Sequence, residues 1–254
     1  MPDVSVVIIA KNEERTIGDV LSAVEPIASE YIVVDSGSVD ATVEIARRCG
    51  AKVFHQDWLG YAAQKNYALS LASADWVLSL DADEVATPAL VSEIQETLSG
   101  PRANEFQGFR MPRTLYIGEC AITHGGFYPD AQLRLFRRGM GQFNDRLVHE
   151  AVRVAGRVGM LVHPLKHFAY RNVEEFAQAM ERYARLSAEE AARSGYGRWK
   201  ASSLNEALHP WWTFFYRYVL RAGFLDGRLG LELNLIYSDY VRRKIRYFRE
   251  MSMA

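Results

Sequence analysis

The sequence lacks several features that would place the protein in a specialised class. It has only two cysteines, Cys49 and Cys120, in 254 residues, which is too few for a disulfide framework and typical of a reducing cytosol. No apolar run approaches the roughly 20 residues that a membrane-spanning helix needs. No basic segment precedes the first apolar run, so we expect no signal peptide and a cytoplasmic location.

An excess of one charge is also missing from the chain as a whole. The net charge is −1, which argues against a nucleic-acid partner recruited by overall electrostatic attraction. The charge is unevenly placed, however, because the segment from His209 onward has eight basic and four acidic residues. This local excess predicts that the C-terminal segment contacts an anionic surface, such as the inner face of the cytoplasmic membrane.

The sequence does contain a regular alternation of apolar runs and helical patterns. Four runs predict buried strands, at residues 4–10, 31–34, 52–55 and 76–80. Helical patterns follow each of them, with Asn12, Asp40 and Thr87 as predicted caps and Gly50 as a predicted left-handed stop. Strands that alternate with helices at this spacing predict an α/β fold with a mostly parallel, Rossmann-like sheet.

The pattern changes after residue 105. Short β-like stretches at 108–116, 132–137 and 148–154 predict a mixed or antiparallel region with long loops. Beyond Asn172 the chain is predicted to be helical, with helices around 176–186, at 210–224 and at 229–249. We therefore expect three parts: a nucleotide-binding α/β part at 1–105, an acceptor and catalytic part of the same domain at 106–171, and a helical region at 172–254 that associates with a membrane.

Two acids follow the strand predicted at 76–80. Asp81 and Asp83, separated by Ala82, come at its carboxyl end, where open α/β sheets bind ligands. Two carboxylates at this spacing can share Mg²⁺ or Mn²⁺, which in turn binds a diphosphate. Acids in this position often only cap the next helix, but Thr87 already supplies that cap.

Two further polar segments follow predicted strands at the same sheet edge. Lys11-Asn12-Glu13-Glu14 comes after the first strand and Asp35-Ser36-Gly37-Ser38 after the second. The first segment is either a polar turn with acids at a helix N-terminus or a contact to a nucleobase and ribose. The second is either an Asx turn or a carboxylate that binds a base N–H or a ribose hydroxyl.

These segments together resemble glycosyltransferase family 2, whose members are inverting enzymes with the GT-A fold. The resemblance lies in residues 5–13, in 33–42, in Gln64-Lys65-Asn66 and in Leu80-Asp81-Ala82-Asp83-Glu84. It implies that Asp35 contacts uracil or its ribose, that Lys65 lies near the nucleotide, that Asp81 faces ribose or sugar and that Asp83 holds the metal. The donor site that it implies also includes Ala10, Asn12, Glu13, Ser36 and Ala82.

The middle of the chain resembles one branch of the family, the β-1,4-glucosyltransferases of lipopolysaccharide inner-core synthesis and their capsule relatives. This resemblance lies in residues 128–138, in Val148-His149-Glu150 and in 223–227. Glu150 is the candidate general base and His149 a candidate metal or phosphate ligand, although the two also fit a polar pair on a strand. Asp130 is the rival base.

Three arginines in the same stretch, Arg134, Arg137 and Arg138, are candidates for binding the donor phosphates or an anionic acceptor. An arginine in an alternating strand is also simply its solvent-facing side, and we expect that of at least one of them. Arg134 is the one that we assign to the donor site.

The C-terminal region contains a dense aromatic cluster. Its members are Trp211, Trp212, Phe214, Phe215, Tyr216 and Tyr218. Aromatic-rich helices are usually core, but an interfacial helix is the alternative, with Arg217 and Arg221 near lipid headgroups. The basic run at 242–249 supports the second reading.

We expect a metal-dependent transferase that moves glucose from UDP-glucose to lipopolysaccharide inner core, with Mg²⁺ or Mn²⁺ as cofactor. The same enzyme class acting on a polyprenyl-phosphate or capsule acceptor is an alternative, and a non-catalytic nucleotide-binding module is another. A nucleotidyltransferase fits less well, since the segment after the first strand lacks a Gly-rich, basic phosphate loop.

Overall fold

A computed structural model describes residues 3–144, 152–193 and 202–253. The chain divides into two compact units. The first unit comprises Met1–Thr114, Asp130–Arg146 and Glu150–Phe168, and the second comprises Leu115–Pro129, Leu147–His149 and Ala169–Ala254. The segment expected to be the acceptor part therefore contributes residues to both units.

The described residues form thirteen strands. In chain order they are β1 Val4–Ala10, β2 Ala28–Asp35, β3 Lys52–His55, β4 Trp76–Asp81, β5 Glu84–Ala86, β6 Gly108–Met111, β7 Arg113–Ile117, β8 Cys120–Ile122, β9 Gln132–Arg137, β10 Gly141–Phe143, β11 Val152–Val154, β12 Val158–Met160 and β13 Leu165–Tyr170. The single stretch predicted at 108–116 is two strands, separated at Pro112, whose ring leaves no N–H for a ladder.

The first unit is built on a seven-stranded sheet with the order β12-β6-β9-β4-β1-β2-β3. Strands β1 to β4 are mutually parallel where they pair, and β9 is antiparallel to both of its neighbours. The prediction of a mostly parallel sheet followed by a mixed region is confirmed. The antiparallel pair of β10 with β11 also belongs to this unit, and β5 pairs with β13 in a sheet with the order β5-β13-β7-β8.

Strand β1 is apolar except for Ser5 because helices cover both faces of the sheet. Val6 and Ile8 belong to a buried cluster on one face, and Val7 belongs to another on the opposite face. Alternate side chains of a strand point to opposite faces, so a strand buried on both sides needs a continuous apolar run. Burying one such side chain contributes roughly 1.5–3 kcal/mol before chain entropy is subtracted.

Eight α-helices are described. They are α1 Ile17–Ala23, α2 Thr42–Arg48, α3 Tyr61–Ser70, α4 Pro88–Ser99, α5 Arg102–Glu105, α6 Val173–Arg193, α7 Ser203–Phe214 and α8 Gly227–Met253. A π-helical segment, Phe215–Leu220, and a 3₁₀ segment, Gly223–Asp226, connect the last two. None of the helices among the described residues combines the length and the hydropathy of a membrane-spanning segment.

Two of the predicted helix boundaries are confirmed at the atomic level. Thr87 Oγ1 accepts a hydrogen bond of 3.2 Å from Leu90 N and caps α4. Gly50 has a positive φ of 82°, and its N–H bonds to Arg47 O while that of Ala51 bonds to Ala46 O. These two bonds satisfy the last carbonyls of α2 in the Schellman pattern.

Two predicted caps are wrong. Asn12 does not cap α1, whose N-cap position is Thr16; instead Asn12 has a positive φ of 57° and its Oδ1 accepts from Val39 N. Asp40 lies one position before the N-cap of α2, although its carboxylate accepts from Thr42 N at 3.0 Å. Short polar side chains bond readily to loop backbone, and here that use takes precedence over capping.

The second unit is a bundle in which α6 and α7 both pack on α8. The helical segment predicted at 210–224 is confirmed over most of its length, but its start is wrong, because α7 begins at Ser203, capped by Ser202 Oγ, and contains Pro210 in its interior. Proline is common at a first helical turn, which explains the error. The buried face of α6 also differs from the prediction, since Tyr183 is exposed and the face is mostly small residues. The buried residues of α6 are Phe176, Ala179, Ala184, Ala188 and Ala191.

Candidate active site

Three strands of the first unit end together at one edge of the large sheet. In the register between β1 and β2, Ala10 lies beside Asp35, and in the register between β1 and β4, Ile9 lies beside Asp81. The sequence prediction that Ala10, Asp35 and Asp81 share one edge is therefore confirmed. This is the edge at which parallel α/β sheets bind ligands.

Asp81 is held by two cations at this edge. Lys65 Nζ from α3 lies 2.6 Å from Asp81 Oδ1, and Arg134 NH2 from β9 donates to Asp81 Oδ2. Burial alone would raise the pKa of the Asp81 carboxyl, but Arg134 and Lys65 outweigh it and keep that pKa well below its ordinary value. Asp81 is thus ionised, and both of its oxygens already have protein partners.

Glu84 is a second anchor that the sequence analysis missed. Its side chain is completely buried, and Oε1 accepts from Arg134 NH2 at 2.6 Å and from Arg113 NH1 at 2.7 Å. Its other oxygen accepts from the backbone N–H of Asp81 at 3.1 Å. Glu84 therefore fixes both arginines and the backbone of the acidic segment. A buried carboxylate is tolerated only with such partners.

Asp83 has a different environment from Asp81. Its side chain is as exposed as that of Asp81, but its Oδ2 lies 3.4 Å from Nε2 of His167, a residue that no sequence motif indicated. Burial and the negative charge of Asp83 raise the pKa of Glu13 to about 7, with smaller contributions from Asp40 and Asp81. Asp83 thus has acidic neighbours and no Lys or Arg partner among the described residues, in contrast to Asp81.

The acids at this edge have the chemistry of a hard-cation site only in part. Asp83 has carboxylate oxygen and a nearby imidazole, whereas the oxygens of Asp81 are bonded to Lys65 and Arg134. Among residues 3–144, 152–193 and 202–253, no group of three or more His, Cys, Asp or Glu side chains is arranged to hold a metal ion. His149, the third predicted metal ligand, lies outside the described residues, as does Glu150, the predicted base.

The loop after β2 is an Asx turn, which is one of the two interpretations of the segment Asp35-Ser36-Gly37-Ser38. Asp35 accepts from Gly37 N at 2.9 Å and from Ser38 N at 3.0 Å. Ser36 Oγ accepts from Gln64 Nε2 at 2.9 Å, and the backbone N–H of Asn12 donates to Ser38 Oγ at 2.9 Å. These bonds fix the loop in one conformation beside the ends of β1 and β2.

The remaining predicted residues fall in two places. Ala82 is buried between the two acids, whereas Arg137 and Arg138 lie at the far end of the sheet. Arg137 pairs in register with Trp76, the first residue of β4, and Arg138 donates from Nε to Ala74 O at 3.0 Å. Arg134 alone of the three arginines reaches the edge that carries Asp81.

Asp130, the rival base, is held by Arg113. Arg113 NH2 donates to Asp130 Oδ2, and Gln132 Nε2 donates to Oδ1 at 2.7 Å. Burial raises the pKa of Asp130, but the Arg113 charge and these hydrogen bonds lower it more, and the net shift is downward. A carboxylate with a lowered pKa is a weak proton acceptor, so this environment disfavours Asp130 as general base.

Comparison with known proteins agrees with this geometry. The family model for Glycosyl transferase family 2 matches residues 5–150. A lipopolysaccharide core biosynthesis glycosyltransferase, LpsC of Rhizobium meliloti, is 32% identical over 75% of this chain and 72% of its own length. A Rickettsia typhi protein described as an uncharacterized glycosyltransferase is 28% identical over 100% of this chain and 89% of its own length.

A solved structure shows the same fold. Glucosyl-3-phosphoglycerate synthase from Mycobacterium tuberculosis, in complex with Mn²⁺, UDP and phosphoglyceric acid, aligns with a TM-score of 0.50 at 20% identity, over 77% of this chain and 80% of that one. The family match covers more than half of the chain and includes the edge formed by β1, β2 and β4. The chain is a glycosyltransferase of family 2 with the GT-A fold.

Proposed function

We propose that the protein is a metal-dependent, inverting hexosyltransferase that moves glucose from UDP-glucose to a hydroxyl of the lipopolysaccharide inner core. The observation that carries this proposal is the contrast between Asp81, neutralised by Lys65 and Arg134, and Asp83, which has no Lys or Arg partner among the described residues. One acid is built into the scaffold and the other is available to a cation. The proposal places the donor across the ends of β1, β2 and β4.

The choice of donor is supported by the solved relative. The M. tuberculosis synthase was crystallised with Mn²⁺ and UDP. In this chain, Asp35 and Ser36 at the end of β2 and Lys65 on α3 are the proposed contacts to the nucleoside. Asn12 and Glu13 after β1 are proposed to complete that side of the donor site, and Asp81, Ala82 and Arg134 are proposed to contact its sugar and phosphates.

Mg²⁺ or Mn²⁺ is the proposed cofactor. Asp83 would hold the cation, with His149 as a further ligand. Asp81 would lie next to the cation, but both of its oxygens are bonded to Lys65 and Arg134. A divalent cation bound there would stabilise negative charge on the departing diphosphate. Lys65 and Arg134 keep Asp81 ionised and oriented, and Glu84 fixes the backbone at Asp81, so the acidic segment is preorganised before substrate binds.

Glu150 is the proposed general base. It takes the proton of the acceptor hydroxyl as the acceptor oxygen attacks the anomeric carbon. The bond between that carbon and the diphosphate oxygen breaks on the opposite side, and the electron pair leaves with UDP. One displacement therefore converts an α-linked donor into a β-glycoside without a covalent enzyme intermediate.

The acceptor is proposed from the relative LpsC, which is described as a lipopolysaccharide core glycosyltransferase. An acceptor embedded in a lipid would require the enzyme to work at a membrane surface. We therefore propose that the protein is cytoplasmic and contacts the inner leaflet of the cytoplasmic membrane through its C-terminal helices. The proposed contact is peripheral.

A two-stage experiment tests the proposal. Thermal unfolding is followed with a panel of nucleotide sugars, each with and without Mn²⁺, because a ligand of the native state raises the unfolding temperature. UDP-glucose with Mn²⁺ should give the largest shift, and Asp83→Asn should remove it. Transfer is then assayed with lipopolysaccharide core, polyprenyl phosphate and capsule oligosaccharide as acceptors.

The outcomes separate the parts of the proposal. An undiminished rate in EDTA-treated enzyme would refute the metal role. A larger shift with another nucleotide sugar would refute the donor, and turnover only on polyprenyl phosphate or capsule oligosaccharide would replace the acceptor while leaving the enzyme class intact.

A further inference from the structure

The second unit contains a cavity that the proposed reaction does not use. It has a volume of about 430 Å³, within the range of small-ligand sites. Residues of α6, α7, the π-helical segment and α8 line it. They include His209, Trp212, Tyr216, Arg217, Tyr237 and Lys244.

The cavity combines aromatic walls with positive charge. Five of its described lining residues are aromatic, two are cationic and one is a histidine, and none of them is acidic. Lys244 makes no ion pair with the described residues. A cavity of this composition favours an anion that also carries apolar groups.

Arg217 is the most informative residue of the cavity. Its guanidinium stacks 3.9 Å from the ring centre of Tyr237 and 4.3 Å from that of Phe127. Nε donates to Asn234 Oδ1 at 3.3 Å, whereas the buried NH2 has no hydrogen-bond partner among the described residues. Buried donors without a partner are rare and costly, and a cation without a carboxylate is more so. An anionic ligand would satisfy both needs.

The outer face beside this cavity carries a stripe of exposed apolar side chains on α7 and the π-helical segment, which we call the aromatic stripe after its two tryptophans and one phenylalanine. Six of them follow helical spacing: Leu204, Leu208, Trp211, Trp212, Phe215 and Val219. Trp211 is 75% exposed. Monomeric soluble proteins rarely expose contiguous apolar patches of this kind without a partner. Trp212 belongs to this aromatic stripe and also lines the cavity, so the two features are continuous.

Charge favours an anionic bilayer over a second copy of the chain as the occupant of the aromatic stripe. Residues 204–225 contain two arginines and one acid, Glu206, whose carboxylate is paired with Arg246 and Arg249. A two-fold partner would present the same surface, with the same cations and no unpaired acid to oppose them. Trp, Tyr and Arg next to an apolar helix face are typical of helices that lie in the membrane interface.

We propose that the cavity binds the phosphate-bearing headgroup of an anionic phospholipid, with Arg217 and Lys244 facing the phosphate and the aromatic stripe lying in the surrounding leaflet. The inference rests on the proposed membrane contact. It adds a defined headgroup site that selects anionic lipid, whereas the stripe alone would bind any bilayer.

Vesicle co-sedimentation of the full chain tests this site. Vesicles are made of phosphatidylcholine alone or mixed with phosphatidylglycerol. Lys244→Gln should weaken binding to the mixed vesicles about fivefold, the effect of one cation near an anionic surface, and leave binding to neutral vesicles unchanged. Arg242→Gln is the matched control, because Arg242 lies on the same helix but is exposed and paired with Asp239. It should change binding by less than about twofold.

The stripe is tested in parallel. Trp211→Ala should weaken binding to both kinds of vesicle about tenfold, because it removes a large apolar contact. Trp58→Ala, which removes a half-exposed tryptophan from the first unit, should leave vesicle binding unchanged. Arg217→Gln should behave like Lys244→Gln, with its thermal unfolding checked because Arg217 also supports Asn234; if that variant unfolds, Lys244→Gln alone decides.

Each outcome bears on one proposal. If the wild-type chain binds no vesicle, both the membrane contact and the headgroup site fail, while transfer to a soluble acceptor remains a separate measurement. If Lys244→Gln matches Arg242→Gln, the headgroup site is wrong and the membrane contact stands. A dimer that Trp211→Ala dissociates without vesicle binding would also overturn the lipid site, whereas competition by free glycerol phosphate would support a phosphate-binding cavity.

Discussion

Lys65 Nζ lies 2.6 Å from Asp81 Oδ1, and this ion pair separates the roles of the two acids that follow β4. Arg134 holds the other oxygen of Asp81, so this acid is a structural anion of the site. Asp83, two residues later, faces His167 and Glu13 instead. A sequence of two acids one residue apart thus has two different electrostatic environments in the folded protein.

The first prediction follows from that difference. Asp81→Asn leaves the Lys65 and Arg134 charges without their shared carboxylate, and removing one partner of a buried pair costs about 3–5 kcal/mol. Asp83→Asn removes no such partner and should change the free energy of unfolding by less than about 1 kcal/mol. Urea unfolding without metal measures both, with Asp57→Asn as an exposed control.

The dependence of the transfer rate on Mn²⁺ should rank the two variants in the opposite order, with Asp83→Asn the more affected. Asp83→Asn should abolish the part of the rate that depends on Mn²⁺ while its unfolding curve stays close to that of the wild type. If Asp81→Asn is as stable as Asp83→Asn, the ion pairs of Asp81 do not stabilise the site and its assignment as a structural anion is wrong.

The second prediction concerns the general base. Glu150→Gln should lower kcat by about 10²–10⁴ with donor binding retained, because only proton transfer is lost. Asp130→Asn should have a smaller effect on kcat and a larger one on stability, since Asp130 is a partner of Arg113. The pKa of Asp130 is lowered in the fold, so its stabilising contribution is present above the ordinary pKa and is lost as the pH falls through the lowered value.

Rapid-quench measurement of a single turnover, together with donor titration, separates the two variants. A loss of the proposed size in Asp130→Asn, with Glu150→Gln nearly unaffected, would transfer the role of base to Asp130.

Much of the sheet edge was predictable because its signals are local. The apolar run of β4 directly precedes Asp81, and the Thr87-Pro88 pair fixes the start of α4. Parallel pairing then places the ends of β1, β2 and β4 side by side, so Ala10, Asp35 and Asp81 meet without further information.

The remaining parts of the site depend on contacts that are distant in sequence. Arg134 meets Glu84 across 50 residues, and Arg113 meets it across 29. No periodicity or spacing in the sequence indicates such a pair, so the sequence identifies Glu84 only as the last residue of the segment Leu80-Asp81-Ala82-Asp83-Glu84. His167 reaches Asp83 because β13 pairs with β5, a pairing that only the folded chain reveals. The interior Pro210 of α7 misled the prediction for the opposite reason, since it is a local signal that the tertiary structure overrides.

The third prediction is a pH dependence of stability that arises from Glu13. Burial and Asp83 raise its pKa from 4.5 to about 7, so the folded state holds a proton that the unfolded chain releases at lower pH. The stability from this group is therefore fully present below about pH 4.5 and declines as the pH rises to about 7. Water screens a half-buried carboxylate, so we expect a difference of about 1 kcal/mol.

Glu13→Gln should remove this decline. The variant should match the wild type at pH 4 and exceed it at pH 8 in urea midpoint, whereas Glu25→Gln, at an exposed site, should not. Mn²⁺ should reduce the advantage of Glu13→Gln at pH 8, because a cation at Asp83 offsets the repulsion. A wild-type stability that rises from pH 5 to 8 relative to Glu13→Gln would contradict the assigned cause.

The fourth prediction concerns the close contact of Gly230 with the turn at Gly223. That turn packs on Asn234, which accepts a hydrogen bond from Arg217. Gly230 lies in α8, where replacement of glycine by alanine normally stabilises a helix by up to about 1 kcal/mol. Here an added Cβ would lie 2.1 Å from Gly223 O and 2.9 Å from Asp226 Cβ. Backbone cannot give way as a flexible side chain does, so Gly230→Ala should instead destabilise the protein by about 1–3 kcal/mol.

Gly18→Ala in α1 is the matched control, because its Cβ would meet only Ile45 Cγ2, at 3.2 Å. That side chain is able to shift, so this variant should be neutral or slightly stabilising. Because the turn at Gly223 packs on Asn234, which accepts from Arg217, Gly230→Ala should also weaken binding to vesicles that contain phosphatidylglycerol. Equal urea midpoints for the two alanine variants would show that the turn tolerates the added methyl group and does not fix Arg217.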